Sequence, residues 1–327
     1  MDYLALQKKN LRKTYLLVFV FILMMAILGL VIDFLFGVFP IGTAVLVFIA
    51  LIQTLVGTAS GPQLVLRSVG ARPINEKSLE EKQLKNIVEE LTIAAGLEKA
   101  PAVYVMEDEN INAFATGFDV KNSAVCVTSG LLKHLNREET EGVIAHELSH
   151  IKNRDTLLMS CIAAILGTMV LVQLFAWRSL RILAWRSTGR SSRKKDSGIA
   201  YVLLALLVIL ILATLFSSIG RVTIFAVSRT REYLADASAV ELTRNPKGLS
   251  NALRKIAKMQ RKMPKVKNAT IATAHLFIAD PLKRSINEKE GFFANLFSTH
   301  PPIHKRIALL ENVPEEIVLK ELYGEEL

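Results

Sequence analysis

Four apolar runs leave this chain few ways to fold: about Tyr15 to Phe36, about Val38 to Ala59, Leu157–Trp177 and Ile199–Gly220. Each comes near the roughly 20 residues that cross a hydrocarbon core. Hydrophobic residues make up 51% of the 327 residues, and mean hydropathy is +0.35, too apolar for an ordinary soluble domain. The first run is too long for a cleavable leader, lacks a small-x-small cleavage site, and is followed at once by another run after Pro40. The reading is a transmembrane hairpin. Lys8, Lys9, Arg12 and Lys13 precede it and Arg67, Arg72 and Lys77 follow, so the positive-inside rule places both ends in the cytoplasm.

The second pair of runs flanks a segment, Arg178–Gly198, that holds Arg178, Arg181, Arg186, Arg190, Arg193, Lys194 and Lys195. Two full crossings put this basic segment outside, against the charge bias. A re-entrant or tilted hairpin keeps it inside. Either way the chain returns to the side it left, and four membrane-embedded segments are expected. The net charge of +10 does not imply a nucleic-acid partner, because the Lys and Arg cluster beside the apolar runs, where topology and anionic lipid account for them. No glycine-rich nucleotide loop occurs, so no nucleotide is expected. Cys126 and Cys161 have neither disulfide nor metal spacing.

Between the hairpins the pattern turns polar. Leu79, Leu84, Ile87, Val88 and Leu91 recur at helical spacing within Ile74–Ala95. Three strand-like runs follow, Ala102–Met106, Asn112–Thr116 and Ala124–Thr128. After Asn136 another helix begins, with Glu138, Glu139 and Glu141 in its early turns. That helix carries His146-Glu147-x-x-His150. Residues four apart share a helix face, so the two imidazoles can hold a divalent ion between them. Glu147 beside them can take a proton from a metal-activated water. Arg154 and Asp155 are read as closing this helix.

A third ligand is needed. Beyond the fourth run the chain reads Glu232-Tyr-Leu-Ala-Asp236, again two acidic residues one helical turn apart. Glu232 fits the single carboxylate of a His2Glu site that leaves a position open for water. Asp236 fits a carboxylate that accepts a hydrogen bond from a ligand imidazole. A solvated pair with Arg229 and Arg231 is the plain alternative, and Glu241 is the other nearby carboxylate.

These stretches resemble the HtpX family of prokaryotic membrane zinc metallopeptidases, gluzincins related to the CAAX prenyl proteases. The resemblance runs through Ile111–Gly117, Val127–Leu131, the motif helix, Ser228–Asp236, Ala274–Ile278 and Phe297–Pro302, in the family's order. It implies a mainly α integral membrane protein (α+β in class), with helical hairpins in the membrane and a cytoplasmic zinc-peptidase domain carrying a small β-sheet. The expected division is residues 1–66 for the first hairpin, 67–156 for the first part of the peptidase, 157–220 for the second hairpin, and 221–327 for the remainder.

What the resemblance further implies is an endopeptidase of the cell (inner or plasma) membrane that degrades misfolded or misassembled membrane proteins. One Zn2+ would be held by His146, His150 and Glu232, with Glu147 as general base and Asp236 orienting an imidazole, by analogy that of His146. Asn112, Ala113 and Phe114 would align an extended substrate backbone. His300 leads the candidates for an oxyanion donor, followed by His275 and Tyr233; His134 and His304 are read as surface residues. The competing readings are a CAAX-type C-terminal processing protease, which needs more spans than this chain has, and a non-catalytic metal-binding scaffold or transporter, for which only Asp33 offers an ionisable group within a run.

Overall fold

The computed structural model describes residues 3–117, 121–188, 197–269, 276–281 and 301–324. In chain order its elements are α1 (Tyr3–Phe36), α2 (Ile41–Ser68), β1 (Arg72–Pro73), α3 (Leu79–Ala94), β2 (Ala102–Met106), β3 (Ala113–Gly117), β4 (Ser123–Thr128), α4 (Ser129–His134), α5 (Arg137–Lys152), α6 (Asp155–Thr188), α7 (Ser197–Thr243), α8 (Pro246–Lys262), α9 (Ile303–Glu311) and α10 (Glu315–Tyr323). They divide into two compact units. One comprises residues 13–59 and 161–223; the other comprises residues 1–12, 60–160 and 224–327.

The first unit is helical. Among the described residues, Thr14–Phe36 and Ala200–Ser218 are long and apolar enough to cross a membrane, with mean hydropathies of 3.0 and 2.7, and Ile41–Leu55 is a shorter apolar helix. Only 22% and 17% of the two longer windows are buried by protein, and Phe34 is 85% exposed. A water-soluble core helix buries such side chains; a lipid-facing one does not. Asp33, the ionisable residue inside the first run, is occupied structurally. Its carboxylate accepts from Gly42 N at 2.6 Å, from Thr43 N at 3.0 Å and from the Thr43 hydroxyl at 2.6 Å, satisfying the first N–H groups of α2.

The expected basic loop is in part helix. α6 runs on to Thr188, so Arg178 and Arg181 extend from its last turns, because nothing in Arg178–Thr188 breaks a helix. Arg190, Arg193, Lys194 and Lys195 lie outside the described residues, as do the side chains of residues 159–167 within the third run.

The second unit is built on a four-stranded sheet in the order β1-β2-β4-β3. β2 and β4 are parallel, and the other pairs are antiparallel. Leu84, Ile87, Val88 and Leu91 of α3, Val125 and Val127 of β4, and Val143, Ile144 and Leu148 of α5 meet in one core with Leu249, Leu253 and Ile256 of α8. α3 begins later than the apolar spacing implies, at Leu79, because the Ser78 side chain accepts from Glu81 N and caps it.

Helices α5 and α8 approach closely through paired glycines. A Cβ on Gly142 would lie 2.5 Å from Leu249 N, and one on Gly248 would lie 2.6 Å from Glu138 O. The start of α5 is fixed by a capping box between Asn136 and Glu139, and Lys255 of α8 pairs with Glu139 at 2.7 Å. Its end is a sharp turn. Arg154 adopts φ 57°, and Asp155 opens α6 rather than closing α5.

Candidate metal centre

Helix α5 presents His146 and His150 one turn apart, and α7 brings Glu232 and Asp236 to them across the second unit. The Nε2 atoms of the two histidines face each other at 3.3 Å. Glu232 Oε2 lies 3.6 Å from His146 Nε2, and Glu232 Oε1 lies 3.5 Å from His150 Nε2. A tetrahedral ion with bonds of about 2.0–2.1 Å has ligand-to-ligand edges of about 3.3–3.4 Å. The three donors therefore already stand near the corners a divalent metal needs. All their ligand atoms lie within 4.8 Å of one another, and Glu147 lines the same cavity. His2Glu is a donor set that holds such an ion, so the residues fit the metal.

Each imidazole is backed by a carboxylate. His146 Nδ1 lies 3.0 Å from Asp236 Oδ1, and His150 Nδ1 lies 3.1 Å from Asp155 Oδ2. With Nδ1–H donating to its carboxylate, each imidazole turns Nε2 inward, where it would offer its lone pair to a metal. Each carboxylate is in turn met by an arginine. Arg306 donates to Asp236 in a fork, Nε to Oδ2 at 2.8 Å and Nη2 to Oδ1 at 2.6 Å. Arg231 Nη1 stands 3.3 Å from Asp155 Oδ1.

Burial disfavours a charged His146, but the bonds to Asp236 and Glu232 outweigh it and push its pKa up to about 9. A metal binding there at neutral pH therefore displaces a proton. Burial also opposes charge on Asp236, yet the Arg306 guanidinium holds its carboxyl below the ordinary value.

Arg306 has no role in the sequence reading, and Asp155 enters it only as a residue closing the motif helix. Arg306 left a signal, since it falls on the same α9 stripe as Ile303, Ile307 and Leu310, and a cation on an apolar stripe implies a buried partner. Its side chain is wholly buried. Asp155 was masked by the assumption that it closed α5; the left-handed Arg154 turns it back toward His150.

Three other expectations fare differently. His300 and His275 lie outside the described residues. Tyr233 lines a separate groove with Lys305 and Leu309. His304 is not a surface residue: it is 5% exposed, with Nε2 2.9 Å from Glu315 Oε1, because it fastens α9 to the start of α10.

Asn112, Ala113 and Phe114 stand at the outer edge of the sheet, and the chain itself covers that edge. Ile278 N donates to Ala113 O at 2.9 Å. Phe277 bridges Phe114 with ring centroids 4.8 Å apart, and Asn112 Nδ2 donates to Ala279 O at 3.0 Å. Leu276, Phe277 and Ile278 also wall the cavity lined by His146, Glu147, His150 and Glu232, whose volume is about 20 Å³. That is room for about one water.

Comparison with known proteins agrees with this arrangement. The model of Peptidase family M48 matches residues 78–313. A protease HtpX homolog of Thermoanaerobacter pseudethanolicus is 42% identical over 310 residues, covering 94% of this chain and 97% of that protein. Another, from Caldanaerobacter subterraneus subsp. tengcongensis, is 40% identical over 312 residues, covering 94% and 97%. A third, from Dictyoglomus turgidum, is 40% identical over 309 residues, covering 94% of each.

Proposed function

The chain belongs to peptidase family M48 and is a metallopeptidase, and from that premise we propose that it is a membrane-bound zinc endopeptidase. Its substrates on this reading are misfolded or misassembled membrane proteins, cut at the cytoplasmic face of the cell membrane. The observation that carries the chemistry is the convergence of His146, His150 and Glu232 at edges of 3.3–3.6 Å with Glu147 in the same cavity. The basic residues flanking the first hairpin support the cytoplasmic orientation. Glu232 and the Ala200–Ser218 span belong to one continuous helix, α7, which supports a site supplied by a membrane-anchored element.

When bound, zinc supplies a Lewis acid and lowers the pKa of water to about 7. His146, His150 and Glu232 hold it, and Asp236 and Asp155 keep the two imidazoles oriented. Glu147 takes the proton of the attacking water and returns it to the leaving amine. Leu276–Ile278 keep bulk water from the ligands. For Asn112, Ala113 and Phe114 to align an extended substrate, that segment must yield the edge of β3.

The test is cleavage by the purified protein in zinc-containing detergent or proteoliposomes. The substrates are casein and a membrane protein with a destabilised span, beside the same membrane protein in its stable form. The expected result is cleavage of the first two and sparing of the stable form. Cleavage confined to a C-terminal tripeptide would favour the CAAX-type reading instead.

A further inference from the structure

Arg231 immediately precedes Glu232 on α7, is 7% exposed, and lines the cavity shared by His146, Glu147, His150 and Glu232. Its Nη1 stands 3.3 Å from Asp155 Oδ1, yet among the described residues neither Nε nor Nη1 has a hydrogen-bond acceptor. A buried guanidinium with idle N–H groups is costly to keep. Arg306 is the instructive contrast. Its Nε and Nη2 serve Asp236, and its Nη1 donates to Ile278 O at 3.2 Å. Among the described residues, Arg231 is therefore the cation at this cavity with donors to spare.

We propose that Arg231 is a catalytic residue whose idle N–H groups take the oxyanion that forms on the scissile carbonyl. The proposal rests on the endopeptidase reading above. The cavity it faces is the one that must receive the reacting atoms, so the missing acceptor is one a substrate brings.

Charge favours the transition state over the bound substrate. Glu147, Glu232, Asp155 and Asp236 are balanced by Arg231, Arg306 and a divalent ion. As the water oxygen bonds to the carbonyl carbon, its proton passes to Glu147 and the C=O π pair moves onto oxygen. Neutralising Glu147 leaves one positive charge uncompensated, just as one negative charge appears on the substrate. When the C–N bond breaks, the carbonyl reforms and Glu147 returns the proton to the amine nitrogen. A permanently charged donor fixed beside that oxygen needs no reorganisation.

The experiment measures kcat and KM on an internally quenched peptide for wild type, Arg231→Ala, Arg231→Lys and Asp155→Asn. Zinc content, unfolding midpoint and inhibition by a phosphinic peptide, which mimics the tetrahedral oxyanion, are followed alongside. For Arg231→Ala the expected result is a fall in kcat of about 10²–10³-fold. KM should stay within about threefold, zinc content should not change, and the phosphinic peptide should weaken in parallel with kcat. Arg231→Lys, which keeps the charge, should recover about tenfold.

The proposal is overturned if Arg231→Ala keeps kcat within about threefold of wild type. It is equally overturned if Arg231→Ala and Asp155→Asn both lose zinc, since Arg231 would then serve only to position Asp155. Absence of cleavage by the zinc-loaded wild type would instead refute the endopeptidase reading on which the proposal stands.

Discussion

Glu147→Gln is expected to lower kcat by about 10³-fold, within the range of 10²–10⁴ that a positioned general base supplies, while the zinc content stays at the wild-type level. Glutamine keeps the size and one carbonyl oxygen of the side chain but cannot hold the proton that the attacking water must lose. The three ligand atoms that converge are those of His146, His150 and Glu232, so the substitution removes none of them. Glu147 is 1% exposed inside a cavity of about 20 Å³. Bulk water therefore has little room to substitute as base. Turnover by Glu147→Gln within tenfold of wild type, at full zinc, would refute the assignment.

The largest effect on stability is expected at Arg306. Its guanidinium is fully buried and forms two short bonds with Asp236. Arg306→Met leaves that carboxylate in the interior without its counter-charge, which costs about 3–5 kcal/mol. In a unit of this size, a loss of that order lowers the unfolding midpoint by about 10 °C. Arg306→Met with Asp236→Asn removes both charges and should regain more than half of the loss; a double variant as unstable as the single one would contradict the pairing.

The pH dependence has a definite sign. Arg306 holds the folded Asp236 carboxyl below its ordinary value. The stabilisation is therefore complete above the unfolded value of about 3.9 and fades as pH falls through the lower folded value. The gap between wild type and Arg306→Met should thus be widest near neutral pH and narrow as pH falls, because burial without Arg306 raises the Asp236 carboxyl of the variant and lets it take up a proton first.

What could be read from the sequence follows the reach of local rules. His146 and His150 share a face because a helix repeats every 3.6 residues, and the Glu232/Asp236 spacing obeys the same rule. Three strands, β2, β3 and β4, were legible as short apolar runs, although β3 is shifted one residue along, to Ala113–Gly117; β1, two exposed residues long, was not. Non-local pairings escaped. No spacing rule links Arg306 to Asp236, 70 residues apart, or places Leu276–Ile278 on the edge of β3. Asp155 escaped for a subtler reason: one left-handed residue, Arg154, separates the two helices, so that Asp155 opens α6 where it was expected to close α5. α10 was missed because Glu315–Tyr323 is short and its apolar stripe rests on Val318 and Leu322 alone.

The central claim is that α5 and α7 jointly hold one metal ion. It is tested most directly by elemental analysis of purified wild-type protein and Glu232→Ala after dialysis against a zinc buffer. Wild type should carry about one zinc per chain and the variant less than a tenth of that, with the fold intact by circular dichroism. Zinc retained in full by Glu232→Ala would contradict it.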